Sequence, residues 1–118
     1  MIKIKQLLVD LYGCKADLDN IEYLMNILLR ASDAVGSTIV QKIMHKFNPV
    51  GVTVIIILAE THMSIHTWPE HCYAAVDVFF CNEEKDPYIA WNLIREALSP
   101  ESYNINELTR SIGKNGSL

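Results

Sequence analysis

The sequence predicts an α+β fold, a two-layer α/β sandwich in which two helices cover one face of a largely antiparallel sheet. Two segments carry apolar residues at helical spacing, and the segments between and around them are typical of strands. Their order is strand, helix, strands, helix, strand, which favours helices gathered on one face of the sheet. A chain of 118 residues is long enough for one core, so residues 1–112 are predicted to form a single domain, with a flexible tail at 113–118.

The first helix is predicted over residues 18–35, where apolar side chains recur every three or four positions. Asp17 or Asp19 is expected to cap its start, because an aspartate can accept hydrogen bonds from the free N–H groups of the first turn. Gly36 is suited to end the helix, because glycine adopts the left-handed conformation that helix ends require.

The second helix is predicted to begin at Asp86 and Pro87 and to end near Ser99. Aspartate can cap the start, and proline fits the first turn because its missing N–H would have no partner there. Strands are predicted at residues 7–12, 38–47, 52–59, 63–66, 73–80 and 103–108. A turn at residues 48–51, with the sequence NPVG, is predicted to join the second and third of these strands as a hairpin.

The strand at residues 52–59 is apolar on both of its alternating faces. A strand with one face in water should alternate polar and apolar residues, so both faces of this strand are expected to be covered. Helices of the same chain can cover one face. The other face is therefore predicted to meet a second copy of the chain, sheet against sheet, in a homodimer.

The charge balance and the hydropathy pattern exclude several classes of partner. Fourteen acidic and ten basic residues give a net charge of -4, and no cluster of Lys and Arg marks a nucleic-acid surface. The longest apolar run, residues 52–59, is far shorter than the roughly 20 residues of a membrane-spanning helix. Asp10 interrupts the apolar stretch near the N-terminus before it could serve as a signal peptide. A cytoplasmic protein without nucleic-acid or membrane partners is expected.

No metal site is predicted from the sequence. Cys14, Cys72 and Cys81 lack the C-x-x-C spacing of zinc or dithiol sites, and their odd number argues against a disulfide framework. His62 and His66 would share one face of a helix, but the residues around them favour an extended chain. Residues four apart in a strand are separated by about 13 Å, which is too far to share one ion.

Thr61 follows Glu60 where the apolar strand ends, and its hydroxyl is a candidate for self-processing chemistry. In such chemistry the hydroxyl attacks the carbonyl of the preceding residue and exchanges an amide for an ester. His66 and Thr53 could supply the base and the oxyanion donor if neighbouring strands bring them close. β-Elimination would release Glu60 as a new C-terminus and leave an α-keto acyl group, which forms a Schiff base with a substrate amine and acts as an electron sink.

Several segments resemble the short prokaryotic class of S-adenosylmethionine decarboxylase, a pyruvoyl-dependent enzyme of spermidine synthesis. The segments are ETHMSIHTWPE at 60–70, YAAVD at 73–77, FC at 80–81, LLVDLYGC at 7–14 and FNPVGVT at 47–53. The resemblance spans nearly the whole chain. It implies a homodimeric sandwich that decarboxylates S-adenosylmethionine after cutting itself into residues 1–60 and 61–118.

The resemblance also implies roles for individual residues. Thr61 lies where the family has the serine that becomes the pyruvoyl group, so cleavage is expected between Glu60 and Thr61. His66 corresponds to the histidine that assists processing and belongs to the expected catalytic set. Thr53 corresponds to a processing serine, and Cys81 to the cysteine that reprotonates the substrate after carbon dioxide leaves.

Three further residues correspond to the substrate-binding positions of the family. Phe47 and Trp68 match aromatic residues that stack on adenine, and Glu70 matches a carboxylate that binds the ribose. Stacking of a base on an aromatic side chain is worth roughly 1 to 3 kcal/mol in other proteins, and a sulfonium near the rings would add cation–π attraction.

The sequence departs from the family pattern at position 61 and at a few other places. The hydroxyl of Thr61 can form the same ester as serine, but the extra methyl group stiffens χ1 and crowds the attack, so processing is expected to be slower or absent. The resulting cap would be 2-oxobutanoyl in place of pyruvoyl. His71 and Cys72 stand where a bulky residue and glycine are usual, and Gln6 stands where histidine is common.

Two other functions stay open from the sequence. One is an unprocessed or non-catalytic homologue that binds an adenosyl ligand or activates a partner. The other is a related pyruvoyl-type decarboxylase acting on ornithine or arginine. The predicted adenosine pocket of Phe47, Trp68 and Glu70 disfavours the second, because neither amino acid carries a nucleoside.

Overall fold

A computed structural model describes residues 2–59, 61–81 and 85–113. Its elements are β1 (Ile2–Tyr12), α1 (Ile21–Ala34), β2 (Ile39–Lys46), β3 (Val52–Leu58), β4 (Thr61–Trp68), a single 3₁₀ turn (Pro69–His71), β5 (Tyr73–Phe80), α2 (Pro87–Leu98) and β6 (Ser102–Ile112). The predicted α+β class is confirmed. Glu60 and residues 114–118 of the predicted tail lie outside the described residues.

The six strands form one sheet in the order β2-β3-β4-β5-β1-β6, and every neighbouring pair is antiparallel. Both helices pack on the same face, α1 against β2, β3 and β4 and α2 against β1 and β5. Alternate residues of the four inner strands point toward the helices and, with apolar residues of both helices, make up the core. The buried apolar strand residues are Leu7, Val9, Leu11, Val52, Val54, Ile56, Leu58, Met63, Ile65, Ala74, Val76, Val78 and Phe80.

In the part of the chain that the structure describes, no helix packs on the opposite face of the sheet, and we call it the open face. On β3 the helix-facing residues are fully buried, whereas Thr53, Ile55 and Ile57 on the open face are only half-buried. Leu8 of β1 lies on the same face and is 36% exposed. The two apolar faces predicted for β3 are therefore present, and one chain covers only one of them.

The caps of the two helices differ from the prediction at one position. Asn20 caps α1 by accepting a hydrogen bond from the backbone N–H of Tyr23, so the prediction of Asp17 or Asp19 as the cap was wrong. Asp19 instead contacts the β2–β3 hairpin, where its carboxylate accepts a hydrogen bond from the Gly51 N–H at 2.8 Å. At α2 the predicted cap is confirmed, because the Asp86 carboxylate accepts from Tyr88 N–H at 2.9 Å.

The strands are longer than predicted at three places. β1 begins at Ile2 instead of residue 7, and β6 continues to Ile112, because the two strands pair over their whole length from Ile2 opposite Ile112 to Tyr12 opposite Ser102. β4 spans Thr61–Trp68 instead of residues 63–66. The added strand length places Thr61 at one end of β4 and Trp68 at the other.

The predicted β2–β3 hairpin is confirmed, and it is fastened to the start of α1. The Phe47 N–H donates to Gly51 O at 2.8 Å and closes the turn. Gly51 has a φ of +114°, a conformation that side chains rarely adopt. The Lys46 ammonium lies 2.9 Å from the Asp19 carboxylate. The Lys46 ammonium, and to a smaller extent the Gly51 N–H, hold the pKa of the Asp19 carboxyl below its usual value.

The hydroxyl of Thr67 connects β4 to β3 and to the loop before α1, and its loss is expected to destabilise the fold. It donates to Leu18 O at 2.7 Å and accepts from Val52 N–H at 2.9 Å. Thr67→Val leaves both buried backbone groups without this partner, so the free energy of unfolding should fall by about 1 to 3 kcal/mol in urea titration. Thr109→Val, on an exposed site of β6, is the matched control and should stay within about 0.5 kcal/mol of the unaltered chain. Equal effects of the two substitutions would contradict this account.

Candidate active site

The polar and aromatic residues of interest lie in two groups near opposite ends of the sheet, and those of the aromatic group are on the open face. The aromatic group is defined as Asp10, Tyr12, Thr53, His66, Trp68 and Tyr73. The strand-end group is defined as Thr61, His62, Phe79 and Cys81. Each group is assembled across neighbouring antiparallel strands by the register of the sheet.

Thr53 and His66 are direct cross-strand partners on β3 and β4. The Thr53 hydroxyl and the His66 Nδ1 atom lie 3.1 Å apart, within hydrogen-bond distance. The contact fixes the ring and leaves Nε2 available for another partner, because an imidazole presents its two nitrogens in different directions. Both side chains are half-buried, so the pair has the reach and the chemistry of a positioned proton acceptor.

Tyr73 is the centre of the aromatic group. Its ring lies 5.3 Å from that of Trp68 and 5.6 Å from that of Tyr12, measured between centroids. Its hydroxyl donates a hydrogen bond to the Asp10 carboxylate. Burial, together with the Asp10 carboxylate, raises the pKa of Tyr73 to about 12. Tyr73 therefore stays protonated at neutral pH. Its ring packs against one side of Trp68, which remains 43% exposed.

Phe47 and Trp68 stand on either side of β3 at the aromatic end of the sheet. The β3–β4 register, continued by two pairs of residues, places Gly51 opposite Trp68, and Phe47 lies across from Gly51 on the other side. Neighbouring strands are about 4.8 Å apart, so the two aromatic residues are separated by about 10 Å with only glycine between them. A methyl group at Gly51 would lie 3.3 Å from Thr67 O and 3.8 Å from the Phe47 Cβ. With no side chain at Gly51, only backbone separates the two aromatic residues; we call this strip of the surface the slot and treat it as a candidate place for a flat ring.

Glu70 lies close to this slot in sequence and is exposed in the 3₁₀ turn that follows Trp68. The turn begins at Pro69 and ends at Cys72, whose φ of +50° lies in the left-handed region. This conformation explains why glycine is usual there in the family that the sequence resembles. The turn carries the Glu70 carboxylate out of the sheet at the aromatic end.

The strand-end group lies where β3 turns into β4. Thr61 pairs with Leu58, and its side chain is half-buried at the edge of an open cavity of about 600 Å³. The rings of His62 and Phe79 line the same cavity and meet edge to face at 5.3 Å. Cys81 directly follows Phe80, the last residue of β5, and His62 pairs with Phe79, so the thiol lies at the same end of the sheet as Thr61.

Within one chain the two groups remain apart. Thr61 and His66 belong to the same extended strand and are five residues apart, which corresponds to about 17 Å. The same spacing separates Thr61 from Thr53, because Thr53 is the direct partner of His66. The site residues predicted from the sequence therefore divide into Thr61 and Cys81 at one end and Thr53, His66, Trp68, Phe47 and Glu70 at the other.

Three residues of the aromatic group were not identified from the sequence. Asp10 and Tyr12 lie on β1, and Tyr73 begins β5 beside it. The contact between Tyr73 and Asp10 joins residues 63 positions apart, and no local pattern marks it. The only sequence signal was indirect, since both residues lie inside segments that match the family pattern.

Two absences hold for the part of the chain that the structure describes. No three His, Cys, Asp or Glu side chains in residues 2–59, 61–81 and 85–113 are grouped closely enough to hold a metal ion. No helix in those same ranges is long and apolar enough to cross a membrane.

Comparison with known proteins gives one consistent family. The family model described as S-adenosylmethionine decarboxylase matches residues 5–111. The chain is 38% identical to an S-adenosylmethionine decarboxylase proenzyme from a Thermoanaerobacter species over 92% of this chain and 88% of that protein. It is 36% identical to the proenzyme of the same name from Pseudomonas paraeruginosa over 92% of this chain and 69% of that protein. The crystal structure of an adenosylmethionine decarboxylase from Aquifex aeolicus superposes with a TM-score of 0.85 at 33% identity, covering 99% of this chain and 98% of that one.

The hydrogen bond from Tyr73 to Asp10 is expected to make stability depend on pH at the alkaline end. The pKa of Tyr73 is raised in the fold from 10.0 to about 12, so the stabilisation is complete below pH 10 and is lost as the pH rises toward 12. Tyr73→Phe should therefore lower the free energy of unfolding by about 1 kcal/mol at neutral pH, and this difference should shrink above pH 10. Urea titration at several pH values measures it. Asp10→Asn is the partner variant, in which tyrosinate absorbance should titrate at lower pH than in the unaltered chain. A difference that does not change with pH would contradict the assignment.

Proposed function

The chain belongs to the S-adenosylmethionine decarboxylase family, and we propose that it decarboxylates S-adenosylmethionine after cutting its own backbone before Thr61. The product is the decarboxylated aminopropyl donor used to make spermidine. One observation supports the proposal most strongly. The sheet carries a hydroxyl residue at a hairpin end, and its open face carries a hydroxyl–imidazole pair and two aromatic residues separated by a glycine, which correspond to the three parts that this chemistry requires.

In the proposed self-cleavage the Thr61 Oγ1 attacks the carbonyl carbon of Glu60. The bond from that carbon to the Thr61 nitrogen breaks, and an ester replaces the amide. Elimination then breaks the ester Cβ–O bond and releases residues 1–60 with a new carboxyl end. One water hydrolyses the remaining enamine, which releases ammonia and leaves a 2-oxobutanoyl cap on residue 62. This cap supplies a carbonyl that accepts the substrate amine and withdraws electrons from it.

We propose that the site is completed by two protomers, because Thr61 cannot reach His66 within its own strand. The half-buried apolar residues of the open face give a second sheet a surface to pack on, and packed sheets lie about 10 Å apart. A two-fold axis that lies between the sheets and runs across the strands would set the strand-end group of one protomer over the aromatic group of its partner. An axis along the strands would keep like ends together and leave both sites incomplete.

Each residue then has one task in the proposed site. His66, held by Thr53, accepts the proton of the attacking hydroxyl during processing. Phe47 and Trp68 enclose the adenine ring, and the exposed Glu70 carboxylate accepts hydrogen bonds from the ribose hydroxyls. The thiol of Cys81, at the same end as Thr61, returns a proton to the substrate carbon after carbon dioxide leaves.

The methyl group of Thr61 sets the rate of processing in this account. A β-branched side chain has fewer accessible χ1 rotamers than serine, so the hydroxyl reaches the attacking position less often. The cost of an off-rotamer side chain reaches about 1.5 kcal/mol, which corresponds to about a tenfold change in rate. An unprocessed adenosyl-binding chain is the alternative that this feature favours.

Substitutions at Thr61 are expected to change processing without changing the fold. Thr61→Ser should be cut about ten times faster than the unaltered chain, and Thr61→Ala should not be cut, because it has no hydroxyl. Intact mass spectrometry of freshly purified chains follows the loss of full-length mass and the appearance of two fragments that part before residue 61. A full-length mass for the unaltered chain and for Thr61→Ser would favour the non-catalytic alternative.

Carbon dioxide release is expected from S-adenosylmethionine and not from ornithine or arginine. The reason is the slot formed by Phe47 and Trp68, which only a substrate with a nucleoside fills. Trp68→Ala should raise KM for S-adenosylmethionine by about tenfold or more and change kcat less, because stacking on an exposed ring is made equally in the ground state and the transition state. Release from ornithine or arginine at a similar rate would contradict the substrate assignment.

The proposed interface is expected to depend on the open face alone. Leu8 and Ile89 are both exposed apolar residues, at 36% and 48%, but Leu8 is on the open face and Ile89 is on α2. Leu8→Lys should convert a dimer to a monomer in sedimentation velocity, because it places an unpaired charge between two packed sheets. Ile89→Lys is the matched control and should remain dimeric. A monomeric unaltered chain, or dissociation by Ile89→Lys only, would contradict this arrangement.

A further inference from the structure

Two of the three thiols lie side by side at the aromatic end of the sheet. Cys14 comes two residues after β1 and Cys72 ends the 3₁₀ turn, and the Cys14 N–H donates to the Cys72 carbonyl oxygen at 2.9 Å. Cys81 lies at the other end of β5, on the far side of eight strand residues. The sheet therefore places one pair of cysteines together and keeps the third apart.

The backbone separation of the pair fits a disulfide. The β1–β5 register, continued past Leu11 and Ala74, sets Cys72 opposite Gly13, so Cys14 and Cys72 are offset by one residue. The bond lengths and the 2.9 Å hydrogen bond from Cys14 N–H to Cys72 O limit the separation of their Cα atoms to about 6.8 Å at most. Disulfides in proteins span Cα separations of about 4.4 to 6.8 Å, so the two backbones are close enough to be bridged.

The two thiols differ in exposure, and this difference determines which of them reacts first. Cys72 is exposed and is open to a small disulfide from solution, whereas Cys14 is buried. Burial, with a further effect of the neighbouring Cys72 thiol, raises the pKa of Cys14 to about 11. Cys14 is therefore a poor nucleophile toward solution, and the neighbouring Cys72 is its target within the fold.

We propose that Cys14 and Cys72 form a reversible disulfide by exchange with a low-molecular-weight disulfide such as oxidised glutathione. The Cys72 thiolate attacks one sulfur of glutathione disulfide, forms a mixed disulfide and releases one reduced glutathione. The Cys14 thiolate then attacks the Cys72 sulfur, closes the bridge and releases the second. The protein loses two protons and two electrons, equivalent to two hydrogen atoms, and one glutathione disulfide becomes two thiols.

The bridge has a specific consequence for a chain that cuts itself. This consequence rests on the proposed cleavage before Thr61. Cys14 would belong to the first fragment and Cys72 to the second, so the disulfide would join the two fragments covalently. It would also fasten the turn that carries Glu70 to the end of β1. A thiol at position 72, where glycine is usual in the family, gives this chain a cross-link at the edge of its proposed adenosyl slot.

The test uses the full chain, incubated with oxidised glutathione, alkylated with iodoacetamide and weighed intact without reductant. We expect a species lighter by two hydrogen atoms that carries one carbamidomethyl group, on Cys81, and a joined 14–72 peptide after proteolysis. Dithiothreitol should reverse it. Cys72→Gly, which suits the φ of +50° at this position, should fold and lose the cross-link. Cys81→Ser should keep the cross-link.

Three results would overturn the proposal: a stable glutathione adduct on Cys72 with Cys14 still alkylated, a cross-link that includes Cys81, or no change of mass in the folded chain. The mass measurements report on the disulfide and on self-cleavage separately. A reduced sample reports cleavage as one mass or two. An uncut chain that loses two hydrogens supports the bridge and contradicts self-processing, whereas cut fragments that separate without reductant contradict the bridge alone.

Discussion

Two helices cover only one face of a six-stranded antiparallel sheet, and the rest of the structure depends on this constraint. The helix-facing residues of β3 are fully buried, while its alternate residues remain half-buried on the open face. Burial of apolar area is the main favourable term in folding and association, so a face of this kind gains most by meeting another sheet. The hydroxyl–imidazole pair of Thr53 and His66 and the exposed ring of Trp68 lie on the same face, which links assembly to function.

The extended conformation of a β-strand limits which residues of one chain can meet in a single site. A strand advances about 3.4 Å per residue and cannot fold back on itself, so Thr61 and His66 stay at opposite ends of β4. The hydrogen-bonded register aligns β3 and β5 with β4 and gives each end its own set of partners. In the proposed dimer, a two-fold axis across the strands places the strand-end group of each protomer over the aromatic group of its partner, so two sites form. The separation that leaves one chain incomplete would make the dimer the functional unit.

The fold was largely predictable from local patterns, because apolar spacing and helix caps act over a few residues. The Asp86 cap and the extent of β5 follow from such patterns and are confirmed. The cap of α1 was predicted wrongly because Asp17, Asp19 and Asn20 are all good capping residues, and a contact with the distant Gly51 determines which of them is free to cap. Sequence alone does not show that competition.

The site was less predictable, because its geometry depends on register and on contacts between distant residues. The sequence marked Thr53 and His66 through family resemblance, and the structure shows that they are cross-strand partners. It did not place Thr61 in the same strand as His66, because this strand was predicted over residues 63–66 only. It also gave no sign of the Tyr73 hydrogen bond to Asp10, which helps to orient Trp68. Such contacts arise only when strands distant in sequence become neighbours.

The central claim is that each site is built from two protomers, and co-expression of two defective chains tests it most directly. One chain carries Thr61→Ala, and the other carries Thr61→Ser together with His66→Ala, each with a different affinity tag. We expect the second chain to stay uncut when expressed alone and to be cut before residue 61 in mixed dimers, because only there does its hydroxyl meet an intact imidazole. Cleavage of the second chain on its own, or its persistence uncut in purified mixed dimers, would contradict the account.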